Sequence, residues 1–70
     1  MPERTYKKIE LVGSSTESIE EAIKNACTKA STSIHNLRWF EVTEIRGNLE
    51  AGNPTFQVTI KVGFRLDDGA

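Results

Sequence analysis

The chain has 70 residues, and its nine basic and ten acidic side chains leave a formal net charge of -1. This balance leaves no excess of basic residues of the kind that binds nucleic acid. No apolar run reaches the roughly 20 residues of a membrane span. One cysteine excludes an internal disulfide, and no Cys/His cluster has metal-ligand spacing. We therefore expect neither a nucleic-acid partner, nor a membrane partner, nor a metal site.

So short a chain forms one domain, residues 1–70, and buries only about 60% of its unfolded surface. Because disulfides and metals are excluded as stabilising cross-links, self-association is what remains. The first eight residues lack the apolar stretch of a signal peptide, so we expect a cytoplasmic protein.

The first strand is predicted over residues 5–12, with Gly13 marking its exit. Ser18 and Glu21 then have the spacing of a capping box, which predicts a helix start. Apolar residues follow at steps of three and four, a pattern typical of one helical stripe of roughly four turns. The stripe consists of Ile19, Ala22, Ile23, Ala26, Cys27, Ala30 and Ile34. Because much of it is alanine, we expect the helix to lie close against a sheet.

The second strand contains the only tryptophan of the chain. The poor helix formers at 31–33 predict that the helix has ended, and the chain turns through residues 35–36 into this strand. Phe40 and Val42 fall on one face, whereas Trp39, Glu41 and Thr43 fall on the other. Ile45 shares the parity of the tryptophan, so either a bulge shifts the register or this residue lies on the outer face. Periodicity leaves both possibilities open.

The third strand has the clearest pattern. Residues 50–54 form a turn signal, which predicts an antiparallel hairpin. Apolar residues then occupy every second position, namely Phe56, Val58, Ile60, Val62, Phe64 and Leu66. The predicted fold is therefore α+β, a three-stranded antiparallel sheet in the order β-α-β-β with one helix covering one face. The other face is left for further subunits and a ligand, and open strand edges favour pairing with copies of the chain.

Trp39 on the uncovered face has two interpretations. A large apolar side chain outside the core marks a ligand site, but a subunit contact without any ligand fits the periodicity equally well. An enzyme is not indicated, because Cys27 lies on the apolar stripe, His35 follows the helix end, and no base, nucleophile and orienting group can be assembled. We expect no catalytic residue.

Four ordered motifs carry a resemblance to a known family. They are Gly-Ser-Ser at 13–15, Leu-Arg-Trp-Phe-Glu-Val at 37–42, Ile-Arg-Gly at 45–47, and Phe-Gln-Val at 56–58 followed by Lys-Val-Gly-Phe-Arg-Leu at 61–66. Together they resemble the bacterial-type dodecins, small flavoproteins named for the assembly of twelve identical subunits into a hollow sphere. The resemblance covers nearly the whole chain. It implies a sheet wrapped around one helix and a hollow homo-dodecamer.

The resemblance also implies a set of ligand contacts. Trp39 is similar to the family tryptophan that stacks on the isoalloxazine ring, and Gln57 to the glutamine that hydrogen-bonds the ring's polar edge. Arg46 matches an arginine near the flavin, with a surface salt bridge as the alternative, and Arg38 stands where some members carry Asp. Arg4 and Arg65, at strand ends, match basic positions that some bacterial members use for phosphate-bearing ligands, including coenzyme A, with solvated arginines as the alternative.

A plain hairpin turning at Gly52 predicts that Gln57 lies opposite a residue near Asn48, roughly 30 Å along the second strand from Trp39. If both residues touch one flavin, they come from different subunits. The resemblance thus implies storage and sequestration of FMN or riboflavin, with quenching of the excited flavin by the stacked tryptophan. The alternative is a ligand-free homo-oligomeric assembly module. The resemblance further implies a layered stack of two flavins and two tryptophans across a twofold axis. Such paired stacking denies access to the reactive centre of the flavin, so a flavin-dependent enzyme is disfavoured.

Overall fold

The computed structural model describes residues 3–66 as one antiparallel sheet with a helix on one face. Its elements are β1 (Tyr6–Ser15), α1 (Ile19–Ser33), β2 (Leu37–Glu50) and β3 (Asn53–Arg65). β3 is the central strand, and the sheet order is β1-β3-β2. The predicted β-α-β-β order and the sheet around a single helix are confirmed. Within the described residues, no helix has the length and apolarity to cross a membrane.

β1 is longer than predicted, because Gly13 lies inside the strand rather than at its exit. Gly13 pairs with Val58 of β3 and lies directly under α1. A Cβ at this position would overlap the carbonyl oxygen of Ala22 and come within 2.8 Å of the Ala26 Cβ. The missing side chain therefore allows the helix backbone to approach the sheet closely.

The helix begins where the capping box predicted. Ser18 is the N-cap, and its hydroxyl accepts a hydrogen bond of 3.0 Å from the Glu21 amide. The predicted end was wrong, because α1 continues through the three residues 31–33. The hydroxyls of Ser31 and Thr32 donate back to the carbonyls of Thr28 and Lys29, at 2.8 and 2.7 Å. Satisfying these hydroxyls within the helix removes their competition with its backbone bonds.

The core lies between α1 and the helix-facing side chains of β1 and β3. Three alanines of the helix meet three branched residues of the central strand, namely Ala22, Ala26, Ala30, Val58, Ile60 and Val62. α1 lies mainly over β1 and β3, so the helix side of β2 stays open. Phe40 and Val42 on that side are 49% and 41% exposed.

A bulge in β2 settles the position of Ile45. The hairpin turns tightly at Ala51 and Gly52, both with positive φ, and pairs regularly as far as Glu44 opposite Thr59. The register then shifts between Val42 and Glu44. Ile45 consequently lies opposite Val58, on the helix side of the sheet, so of the two possibilities that periodicity left open the bulge is the one observed.

Candidate functional site

The outer face of the sheet, opposite α1, carries Trp39 over the central strand. Trp39 pairs with Gly63 of β3, and a Cβ on that glycine would overlap three atoms of the indole's six-membered ring. The ring therefore lies across the buried glycine, in the space that any other residue would fill. The tryptophan is 39% exposed. Its ring is thus supported from the sheet side and accessible from the solvent side.

Tyr6 borders the indole from β1, on the opposite side of the central strand β3. Its ring centroid lies 5.5 Å from that of Trp39, and the two planes meet at 62° in an edge-to-face arrangement. Aromatic pairs favour this geometry because the positive edge of one ring meets the negative face of the other. The contact restricts sideways movement of the indole.

Glu41 holds the polar edge of the indole. Trp39 Nε1 donates a hydrogen bond of 3.0 Å to Glu41 Oε2, and Lys8 Nζ lies 2.9 Å from the same oxygen. Lys8 reaches it from β1 across the central strand, where it pairs with Gly63. The hydrogen bond from Trp39, then that from Lys8 and the charges of Lys8 and Lys61, lower the pKa of Glu41 below its ordinary value of 4.5.

Acidification is expected to release the indole. Because the pKa of Glu41 is lowered in the folded protein, its stabilising contacts are complete above pH 4.5. They are lost as the pH falls through the lowered value, since the protonated carboxyl binds Lys8 and the indole N–H less strongly. Trp39 fluorescence followed during acid titration should show this step, and Glu41→Gln should lack it. The same acid transition in both proteins would contradict the assignment.

Gln57 lies farther along the outer face and is paired with Arg46, which corrects its predicted position opposite Asn48. Arg46 Nε donates a hydrogen bond of 2.9 Å to Gln57 Oε1. The tight turn and the bulge bring the glutamine closer to Trp39 than predicted. It lies six residues along β3 from Gly63, or roughly 20 Å. Within one chain the indole and this amide still do not meet.

The other three arginines lie at the Trp39 end of the sheet, where β1 and β2 begin and β3 ends. Arg38 stands at a register shift between Leu37 and Trp39, and its guanidinium lies 3.5 Å from the Leu37 carbonyl oxygen. Arg65 is the last residue of β3 and helps to line a pocket of about 370 Å³ with residues 33–36. Arg4 is exposed and precedes β1.

The residues that hold the indole were not among those predicted from the sequence. Glu41 had a detectable signal, because it lies two positions from Trp39 on the same face of the strand. Gly63 also stood out as a glycine inside a regular strand pattern, which often marks a close approach. Lys8 had no such signal, because its contact depends on the pairing of β1 with β3. Among residues 3–66, no three His, Cys, Asp or Glu side chains group as metal ligands.

Comparison with known proteins identifies the family of this chain. The family model described as Dodecin matches residues 5–67. The chain belongs to the dodecin family. A dodecin of Thermus thermophilus is 50% identical over 66 residues, which cover 93% of this chain and 96% of that relative.

Solved dodecin structures have the same architecture. The dodecin from Streptomyces davaonensis is 48% identical, with a TM-score of 0.90 and coverage of 96% of this chain and 100% of that chain. The dodecin from Streptomyces coelicolor is 43% identical, with a TM-score of 0.92 and coverage of 99% and 100%. The family expected from the sequence motifs is therefore confirmed, together with the dodecin sheet around one helix.

Proposed function

We propose that this dodecin binds, stores and sequesters a flavin, FMN or riboflavin, by stacking it on Trp39. The observation that carries the proposal is the indole lying across Gly63 with its other side accessible. A flat, electron-poor ring system gains from an offset stack on an electron-rich indole. Because Glu41 and Tyr6 already restrict the ring, little side-chain freedom is lost on binding.

Gln57 is the proposed partner for the polar edge of the flavin. Its amide offers both a donor and an acceptor, which suits the imide edge of the isoalloxazine, and Arg46 orients it through Oε1. Within one chain the glutamine lies roughly 20 Å from the strand position of Trp39, too far for both to contact one three-ring system. The two contacts therefore come from different subunits, and binding depends on assembly.

The proposed assembly is the hollow homo-dodecamer. An apolar strip on the helix side of β2 supports self-association, because its four side chains are between 41% and 75% exposed. The strip consists of Phe40, Val42, Ile45 and Leu49. In this proposal the whole chain, residues 1–70, is one flavin-binding domain of a cytoplasmic protein.

Basic side chains supply the proposed contacts to phosphate. Arg46 lies beside Gln57, whereas Arg4, Arg38 and Arg65 lie at the Trp39 end of the sheet. Guanidinium groups bind phosphate through paired hydrogen bonds, which suits FMN and, as a further ligand, coenzyme A. Riboflavin lacks the phosphate, so its binding should depend less on these arginines.

In this proposal the protein binds flavin and does not act as an enzyme. When the bound flavin is excited, the indole of Trp39 donates an electron to it and then takes the electron back. The excitation ends before damaging species form. Stacking on both sides shields the flavin from substrates, so no turnover is expected.

A titration of FMN and riboflavin into the assembled protein tests this proposal. Flavin fluorescence should be strongly quenched and saturate near one flavin per subunit. Trp39→Ala should weaken binding about 10- to 100-fold, because stacking on an aromatic side chain contributes about 1–3 kcal/mol. Val12→Ala is a suitable control, since Val12 is an exposed residue of the same face that pairs with Thr59, away from Trp39.

Light scattering should accompany the titration, to show that each variant assembles. An assembled protein that leaves the fluorescence of both flavins unchanged would contradict the proposal and favour the ligand-free assembly module. The apolar strip on β2 is the observation that favours this second candidate. Equal affinity of wild type and assembled Trp39→Ala would show that the flavin site lies elsewhere.

A further inference from the structure

The outer face places a charged pair directly on the polar edge of the indole. Glu41 Oε2 accepts from Trp39 Nε1 at 3.0 Å and from Lys8 Nζ at 2.9 Å, so one oxygen is shared by an indole and an ammonium group. The contact between Lys8 and Glu41 crosses β3, where Lys8 pairs with Gly63 and Glu41 pairs with Lys61. Both charged side chains remain partly exposed, at 45% and 41%.

A carboxylate in this position does more than fix the ring. Its negative charge repels the electrons of the indole and makes them easier to remove, and the hydrogen bond to the N–H strengthens as positive charge develops on the ring. The ammonium group of Lys8 acts in the opposite direction, because it partly neutralises the carboxylate. A ring stacked above the indole lies farther from Glu41 than the indole nitrogen does, so the charge acts mainly on the electron donor.

We propose that Glu41 is a positioning residue that strengthens Trp39 as an electron donor, and that Lys8 limits this effect. The proposal rests on the proposed function, in which quenching requires an electron from Trp39. The one-electron oxidant is the excited flavin, and the same electron returns to the indole, so no net oxidation results. The pair thereby sets how fast a bound flavin is quenched, separately from how tightly it binds.

Two substitutions of opposite effect test the proposal. Glu41→Gln keeps an acceptor for the indole N–H but removes the charge, whereas Lys8→Gln keeps a donor to Glu41 and removes the neutralising cation. The excited-state lifetime of bound riboflavin, which carries no phosphate, should lengthen in the first variant and shorten in the second. The expected change is about two- to fivefold, on the order of the Boltzmann factor for a unit charge at about 4 Å in a near-aqueous dielectric.

Glu44→Gln is the matched control, because Glu44 lies on the same strand and face but contacts Thr59 rather than the indole. Its bound-flavin lifetime should equal that of the wild type. A purely structural role for Glu41 would change affinity or assembly while leaving the lifetime unaltered. Unchanged lifetimes, or lifetimes that move in the same direction in both variants, would overturn the proposal. If Glu41→Gln does not assemble, the direction of the Lys8→Gln effect decides.

A flavin-free measurement separates this inference from the proposed function. Trp39 is the only tryptophan, so its oxidation by a photogenerated ruthenium(III) polypyridyl complex can be followed through the absorbance of the tryptophan radical. Oxidation should be slower in Glu41→Gln and faster in Lys8→Gln than in wild type. If no flavin binds, the proposed function fails while this order of rates still supports the inference. Equal rates would overturn the inference even where flavin binds.

Discussion

Replacing Gly13 by alanine is expected to lower the free energy of unfolding by about 3 kcal/mol, at the upper end of typical overpacking costs. The new methyl group would overlap the carbonyl oxygen of Ala22 and press against the Cβ of Ala26. Because these atoms belong to the helix backbone and to a side chain that cannot rotate away, α1 must lift from the sheet. A chain of this length has only about 4–10 kcal/mol of stability in total, so the loss is a large share.

Gly47→Ala is the matched control. A Cβ at Gly47 meets only the Thr55 carbonyl oxygen, at an ordinary 3.6 Å. Both substitutions reduce the freedom of the unfolded chain similarly, so their difference isolates the clash with the helix. Urea unfolding of both variants at the same protomer concentration measures this difference in the free energy of unfolding. The concentration is kept equal because assembly makes stability depend on it. Equal midpoints for the two variants would show that the helix does not need the glycine.

Replacing Gly63 by alanine is expected to displace the Trp39 indole and to weaken riboflavin binding about 10- to 100-fold, as loss of a stacking contact does. The added methyl group would occupy the place of the indole's six-membered ring. Here the obstructing atoms belong to a half-exposed side chain that can rotate outward, so the fold should lose far less stability than with Gly13→Ala. The displaced indole would also lose its hydrogen bond to Glu41 and its contact with Tyr6.

Tryptophan emission and riboflavin affinity measure this effect together. The emission should shift to longer wavelength as the ring enters water, whereas Gly47→Ala should leave it unchanged. In the Trp39→Ala background the Gly63→Ala substitution should lower riboflavin affinity almost no further, because the two changes remove the same contact. Additive losses of affinity, or an unshifted emission, would mean that the glycine does not support the indole.

The fold class was predictable because local periodicity reports local structure. Alternation in β3 identified this strand and its buried side, and the capping box at Ser18 placed the start of α1 at the residue observed. The end of α1 was not predictable from residues 31–33, because a hydroxyl can compete with the helix backbone or bond within it. That choice depends on the packing of the neighbouring turns.

The candidate site was only partly accessible from the sequence. Trp39 and Gln57 carried family motifs, but the position of Gln57 opposite Arg46 depends on a two-residue turn at Ala51 and Gly52. The parity of Ile45 left a bulge in β2 open as one of two possibilities, but only the pairing register shows that the bulge forms after Val42 and on which face Ile45 lies. Because of these differences in turn and bulge, the observed separation of Gln57 and Trp39 along the strand is about 10 Å shorter than the predicted one.

The sequence by itself determined the elements, the buried stripe of α1, the alternation of β3 and the family, because these follow from the order and spacing of neighbouring residues. The tertiary structure alone decided how Trp39 is held, because Lys8, Glu41 and Gly63 come from three strands that meet only through their pairing register. A contact between residues 33 positions apart, such as Lys8 with Glu41, is set by that register and not by any local pattern.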